Sequence, residues 1–194
     1  PEDVQPWPNF ADDLSGKPRI QQRYRDCLNP NFSATDWGTW RRTVARHHDF
    51  LTMIDTQIGR ILDELDALGL AATTTVLFTA DHGDTLGCHG GQFDKGPYMF
   101  EETYRVPLLI RFPDKAHAGT ATDSPATNMD FFATCLELLG VEGPGDRHAV
   151  SLAGAHDNPH TVFRDCVVGH FNGFDRRGMY LQRMLHTGRY KYVF

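Results

Sequence analysis

The chain has 194 residues, 40% hydrophobic and 23% charged, enough for one domain or slightly more with a real core; disorder, collagen and coiled coil are excluded. Lys plus Arg number 19 against 25 Asp plus Glu, a net charge of -6, which is the wrong sign for a nucleic-acid backbone as the main partner but leaves room for a local basic pocket that takes a small anion. No apolar run approaches the ~20 residues of a membrane span.

Residues 1–36 place Pro1, Pro6, Pro8, Pro18 and Pro30 among Asn, Asp and Arg. Proline fixes φ and lacks an N–H, so an irregular surface stretch is expected, with one short helix near Gln21–Arg25. From Asp36 to Leu68 the pattern changes. Leu51, Ile54, Ile58, Ile61, Leu62, Leu65 and Leu68 recur at three- and four-residue steps, one face of an amphipathic helix. Ser33, Thr35 or Asp36 is placed to cap its start, and Gly69 to end it.

Thr73–Ala80 is β-branched and apolar on both faces, the pattern of a strand buried in a parallel sheet. Val106–Arg111 reads as a second buried strand. Between them Gly83, Gly87, Gly90, Gly91 and Gly96 mark a long irregular loop. Asn128–Leu139 is a second helix, capped by Thr127 or Asn128 and stopped by Gly140. Val162–Gly169 is a further strand. Tyr180–Leu185 and Arg189–Phe194 flank His186-Thr187-Gly188 as a hairpin. The succession of elements is that of an α/β protein. Cys27, Cys88, Cys135 and Cys166 form no C-x-x-C pair, so neither a zinc ribbon nor a redox motif is visible, and idle or buried thiols are favoured over a disulfide. The chain begins at Pro1 and closes on Tyr190-Lys191-Tyr192-Val193-Phe194, which reads as the middle of a strand. The expectation is a piece of a longer protein, with its location and oligomeric state left unassigned.

Ligands of open α/β sheets bind beyond the carboxyl ends of the strands, and Asp81-His82-Gly83 stands at that position after Thr73–Ala80. A carboxylate and an imidazole there can turn onto one metal ion, a hard oxygen beside a borderline nitrogen. The competing reading is a solvated turn in which Asp81 caps a loop amide.

The run from Asp81-His82-Gly83-Asp84 through Gly87-Cys88-His89-Gly90, Lys95-Gly96 and Glu101-Glu102 to Arg105-Val106-Pro107-Leu108-Leu109-Ile110-Arg111 closely resembles the sulfatases of the alkaline-phosphatase-like superfamily. Asp55-Thr56-Gln57-Ile58-Gly59-Arg60-Ile61-Leu62 resembles the family helix before that run. Thr127-Asn128-Met129-Asp130-Phe131-Phe132-Ala133-Thr134 resembles a later helix, with Ala133 where proline is usual. The resemblance covers residues 45 to 194 and implies part of a mostly parallel sheet flanked by helices, closed by a C-terminal antiparallel hairpin. Residues 1–36 are then an irregular Pro-rich loop region, and 37–194 the C-terminal part of a sulfatase-type catalytic domain cut at both ends.

The resemblance also implies a chemistry, metal-assisted hydrolysis of a sulfate monoester by a sulfuric ester hydrolase. Asp81 and His82 match the late pair of metal ligands. The ion would be calcium, although the imidazole of His82 also suits manganese or zinc. Lys95 matches the lysine that binds the sulfate, and a mobile ammonium suits an oxyanion beside a metal; alone it would read as a solvated side chain. His89 either touches substrate and protonates the leaving group or braces the glycine-rich loop. Asp84 is a loop residue, and Glu101, Glu102 and Arg105 an ion-paired helix end. His47-His48 is a surface pair.

The family nucleophile is a formylglycine made in a C/S-x-P-x-R motif. No such motif occurs in the 194 residues, so the resemblance places it N-terminal to this chain, and the chain alone is expected to have no turnover. The substrate class implied is a small-molecule or saccharide sulfate ester. A phosphonate or phosphodiester monoester hydrolase of the same superfamily, allowed by His82, is one alternative; a non-catalytic binding segment is the other.

Overall fold

The computed structural model describes residues 2–28, 36–143, 145, 148–175 and 178–194. Its elements, in order, are α1 (Arg19–Leu28), α2 (Trp37–Ala67), β1 (Val76–Thr79), α3 (Cys88–Gly91), α4 (Glu101–Tyr104), β2 (Leu108–Arg111), α5 (Asn128–Leu138), β3 (Val167–Asp175), β4 (Gly178–His186) and β5 (Lys191–Val193). They fall into two units. The first runs to Leu70 and resumes over His82–Val106; the second joins Ala71–Asp81 to Pro107–Phe194.

In the first unit, α2 starts where Asp36 accepts a hydrogen bond from the Gly38 N–H at 3.0 Å, satisfying one of the helix's orphan donors. Ser33 and Thr35, the other expected caps, lie outside the described residues. Leu68 closes the helix, and Gly69 follows at φ +69°, the left-handed position glycine takes at no steric cost. Only the first turns of α2 enter a core: Trp40 and Val44 are fully buried. Phe10, Leu14, Tyr24, Cys88, Tyr98 and Met99 are the other buried apolar residues of this unit. Further along the apolar stripe Leu51, Ile54, Ile61 and Leu68 are exposed, Leu51 by 49% and Ile61 by 68%. The helical period is legible in the sequence, while the cover over that face is partial, with Ile58, Leu62 and Leu65 half-buried.

The second unit corrects the expected sheet. β1 and β2 pair antiparallel, with Val76 opposite Arg111 and Thr79 opposite Leu108. Together they form a two-stranded sheet. Parallel pairing needs a crossover, usually a helix packed back on the sheet. The chain from β1 to β2 instead crosses the glycine-rich loop and two four-residue helices. Both strands are shorter than expected and only half-covered, with Leu109 57% exposed. The hairpin expectation stands: β3, β4 and β5 make an antiparallel sheet, with Met184 opposite Val193 and the Thr187 N–H donating to the Tyr190 carbonyl at 2.9 Å. Tyr180 and Met184 point to its buried side, and Leu181 and Leu185 to the exposed one, as the two-residue period of a strand dictates.

The centre of this unit is polar. Asp130, in the first turn of α5, is fully buried. Its carboxylate accepts from the Thr127 N–H at 2.7 Å, from the Val150 N–H at 2.8 Å, and from the Arg164 guanidinium. Thr134, also fully buried, donates to the Asp130 carbonyl at 2.6 Å and accepts from the Leu152 N–H at 2.9 Å. A buried carboxylate is tolerated only when its oxygens are saturated in this way. Arg164→Met strips the cationic donor and is expected to cost about 3–5 kcal/mol. The pair Asp130→Asn plus Arg164→Met should be milder than the sum of the single changes. Urea unfolding in a double-mutant cycle measures this, and a single-site cost under about 0.5 kcal/mol would contradict it.

Candidate active site

Asp81 lies just past the end of β1, as expected, and is exposed. The strand end is anchored by the first residue of α5. Asn128 Nδ2 donates to the Ala80 and Asp81 carbonyls, each at 3.1 Å. Asp81 belongs to the second unit; His82 opens the loop that belongs to the first.

Within the first unit the structure brings His82 and Lys95 together. Lys95 Nζ lies 3.0 Å from His82 Nε2, and His82 Nδ1 lies 2.8 Å from the Gly83 carbonyl oxygen. An ammonium can only donate and a carbonyl can only accept. The imidazole therefore carries its hydrogen on Nδ1 and presents the Nε2 lone pair to a cation. The backbone beneath is fixed: the Gly83 N–H donates to the Thr103 carbonyl at 3.0 Å. A Cβ at Gly83 would collide with the Glu102 carbonyl oxygen, so only glycine admits this approach.

The loop from Leu86 to Gly96 is costly backbone. Leu86, His89 and Asp94 stand at positive φ alongside Gly87, Gly90, Gly91 and Gly96, and non-glycine residues there are held only by their surroundings. The holding groups are identifiable. Trp7 Nε1 donates to the Leu86 carbonyl at 2.8 Å. The Gly90 N–H donates to the Asn9 carbonyl at 3.0 Å, and Gln92 Nε2 to the Gln21 carbonyl at 3.0 Å. Thr85 Oγ1 donates to the Asp94 carbonyl at 2.8 Å. Asp84 accepts from the Leu86 N–H at 2.8 Å, a turn-making contact in keeping with its expected loop role.

His89 sits inside this loop, its ring stacked on Phe100 at 3.9 Å between centroids. Its Nε2 lies 3.0 Å from Glu102 Oε2. Asn9 Nδ2 lies 3.4 Å from the other carboxylate oxygen, Oε1, and 3.5 Å from His89 Nδ1. Glu102 therefore faces a histidine thirteen residues earlier in the loop, not the Arg105 end of its own short helix. No periodicity in the sequence links those positions, which is why the contact was missed. Burial pushes the Glu102 carboxyl up, but hydrogen bonds from His89, its own backbone and Asn9 outweigh that and hold it below its ordinary value.

The same environment raises the Cys88 thiol to about 12, first by burial and then by the Glu102 charge and hydrogen bond. All four cysteines are free thiols, with Cys27 exposed. At pH 8 iodoacetamide should therefore label Cys27 rapidly and Cys88 only on unfolding; mass mapping of the labelled sites decides it, and equal labelling of the two in the folded protein would contradict the geometry. The Glu102 contacts should stabilise the loop above pH 4.5, its ordinary value, and stop doing so as pH falls through the lowered folded value. Labelling of Cys88 as pH is lowered, with 4,4′-dithiodipyridine, which stays reactive toward thiols at acid pH, reads this; an unchanged rate through the transition would contradict it.

Among the described residues no group of three or more His, Cys, Asp and Glu is arranged to hold a metal ion, and none of the described helices is long and apolar enough to cross a membrane.

Comparison with known proteins sets these features in a family. Residues 8–141 match the sulfatase family model. An N-acetylglucosamine-6-O-sulfatase of Bacteroides thetaiotaomicron is 34% identical over 146 residues, 75% of this chain and 23% of that protein. An arylsulfatase of Clostridium perfringens is 33% identical over 133 residues, 66% of this chain and 27% of that protein. The chain thus spans about a quarter of the length of these curated relatives. Among solved structures, a 2-O GAG sulfatase superposes with a TM-score of 0.83 at 22% identity, covering 98% of this chain and 42% of that one. Likeness at that identity speaks for the fold, while the sequence match extends over more than half of the chain: the chain belongs to the sulfatase family.

Proposed function

We propose that the whole protein hydrolyses a sulfate monoester, and that these residues supply the late part of its metal and anion site. The observation that carries this reading is the Lys95 ammonium at 3.0 Å from His82 Nε2, on a loop that begins one residue after Asp81. An ammonium at that lone pair stands where a cation is accepted. The Nδ1 hydrogen bond to the Gly83 carbonyl orients the ring as backbone carbonyls orient metal-ligating histidines. Asp81 and His82 would hold a divalent ion; when bound it would polarise the sulfate and offset charge developing on its oxygens. Asp81 favours calcium, and His82 admits manganese or zinc.

Lys95 is exposed and on a long stem. Once His82 turned its lone pair to an ion, the ammonium would be released to donate to the sulfate oxygens and the leaving oxygen. The nucleophile is no residue of this chain, since no C/S-x-P-x-R motif occurs in it; a formylglycine elsewhere in the protein is the proposed one. A saccharide sulfate is the proposed substrate class. It is supported by the N-acetylglucosamine-6-O-sulfatase relative and by a neighbour of known structure bound to D-glucosamine-2-N,6-O-disulfate. The imidazole at position 82 also favours testing a phosphonate monoester.

In the full-length protein, Lys95→Ala should lower kcat/KM for p-nitrophenyl sulfate by about 10²–10³ while leaving stability within about 0.5 kcal/mol. An unchanged rate would remove Lys95 from the site. Residues 1–194 alone should give no metal-dependent hydrolysis of p-nitrophenyl sulfate or a phenyl phosphonate monoester, because covalent catalysis needs an activated nucleophile. Turnover by the purified 194-residue chain, abolished by Asp81→Ala, would require a nucleophile within it.

A further inference from the structure

We propose that Glu102 is a positioning residue: through the His89 imidazole it locks the loop that carries Lys95, and so holds the ammonium at His82. The proposal rests on the anion-site reading of Lys95.

Each link is a named contact. Glu102 Oε2 takes His89 Nε2 at 3.0 Å, and Phe100 covers the ring face at 3.9 Å. Asn9 Nδ2 joins both groups, 3.4 Å from Glu102 Oε1 and 3.4 Å from His89 Nε2. His89 is thereby held at φ 52° and ψ 53°, a conformation an unsupported histidine leaves readily. Around it the turn is closed by the Gly87 N–H to the Gln92 carbonyl at 2.8 Å and the Gln92 N–H to the Cys88 carbonyl at 2.9 Å. The Cys88 N–H donates to the Thr85 carbonyl at 2.8 Å. Thr85, 1% exposed, grips the Asp94 carbonyl through Oγ1 at 2.8 Å. Asp94 and Gly96, both at positive φ, flank Lys95. Hydrogen-bonded turns thus run unbroken from the half-buried Glu102 carboxylate to the residue before the exposed ammonium, the kind of contiguous network that can transmit a positional constraint.

This arrangement also gives His89 its task. Its Nε2 faces Glu102, Asn9 Nδ2 lies 3.4 and 3.5 Å from Nε2 and Nδ1, and Phe100 covers one face. The ring acts as a peg between the 7–12 segment, the turn and α4.

The test uses the full-length protein with Glu102→Ala, Glu102→Gln, Lys95→Ala and the double variant Glu102→Ala/Lys95→Ala. Four readouts are taken: iodoacetamide labelling of Cys88, amide exchange over Gly87–Gln92, the ¹⁵N shift of His82 Nε2, and calorimetric affinity for inorganic sulfate. Glu102→Ala should speed Cys88 labelling and local exchange about tenfold, shift the His82 Nε2 signal, and weaken sulfate binding about tenfold, the scale of one charge-assisted hydrogen bond. Glu102→Gln, which still accepts from His89, should restore most of each. Lys95→Ala should weaken sulfate binding without opening the loop, and the double variant should bind no worse than Lys95→Ala.

Additive losses in the double variant, or an unmoved His82 Nε2 signal in a loop that has opened, overturn the proposal. If Glu102→Ala does not fold, His89→Gln carries the same readouts with Glu102 intact. A wild-type protein that neither binds sulfate nor cleaves its esters ends the anion-site reading alone; the Cys88 and His82 signals then still decide whether Glu102 positions Lys95.

Discussion

The second unit is organised by a carboxylate taken wholly out of water. Asp130 exposes no surface, and an ion so placed is stable only where donors converge on it. They come from three parts of the chain: the residue before α5, the Val150 backbone and the Arg164 guanidinium. That convergence fixes the first turn of α5, and Asn128 two residues earlier is then in place to hold the carbonyls of Ala80 and Asp81. The backbone of a candidate metal ligand is thus located by an ion pair made by residues far from it in sequence.

The first unit solves the reverse problem. Its loop of left-handed residues cannot maintain itself, because each non-glycine residue at positive φ costs energy that local contacts do not return. Neighbours far away in sequence supply the restraint. Trp7, Asn9 and Gln21 reach it from residues 71 to 80 positions earlier, and Glu102 from α4. Gly90 shows how close that restraint is: a Cβ there would collide with the Asp12 carbonyl oxygen. Within the proline-rich opening stretch, read from composition as an irregular excursion, Trp7, Asn9, Asp12 and Gln21 pack against this loop.

The family match and these contacts bear on different questions. The match covers residues 8–141 and accounts for the order of the motifs. The contacts account for why His82 offers its Nε2 lone pair and why burial beside Glu102 pushes the Cys88 thiol up.

Part of the local structure was legible in the sequence, although the strand expected over Val162–Gly169 lies at Val167–Asp175. The 3.6-residue period and its capping aspartate gave α2, and the turn residues gave the β4–β5 hairpin. A short carboxylate–imidazole–glycine run beyond an apolar strand gave the candidate site, because backbone sterics and side-chain donors act over a few residues. Strand direction was not legible. β1 and β2 have the apolar pattern of buried parallel strands, yet lie antiparallel, since the hydrophobic period records burial and is blind to the partner's direction. Nor were the partners of the half-buried Glu102 and the buried Asp130. Glu102 with His89, and Asp130 with Val150 and Arg164, are joined across 13, 20 and 34 positions. Only the folded chain decides such pairs, because desolvation makes an unpaired charge intolerable without specifying which donor must arrive.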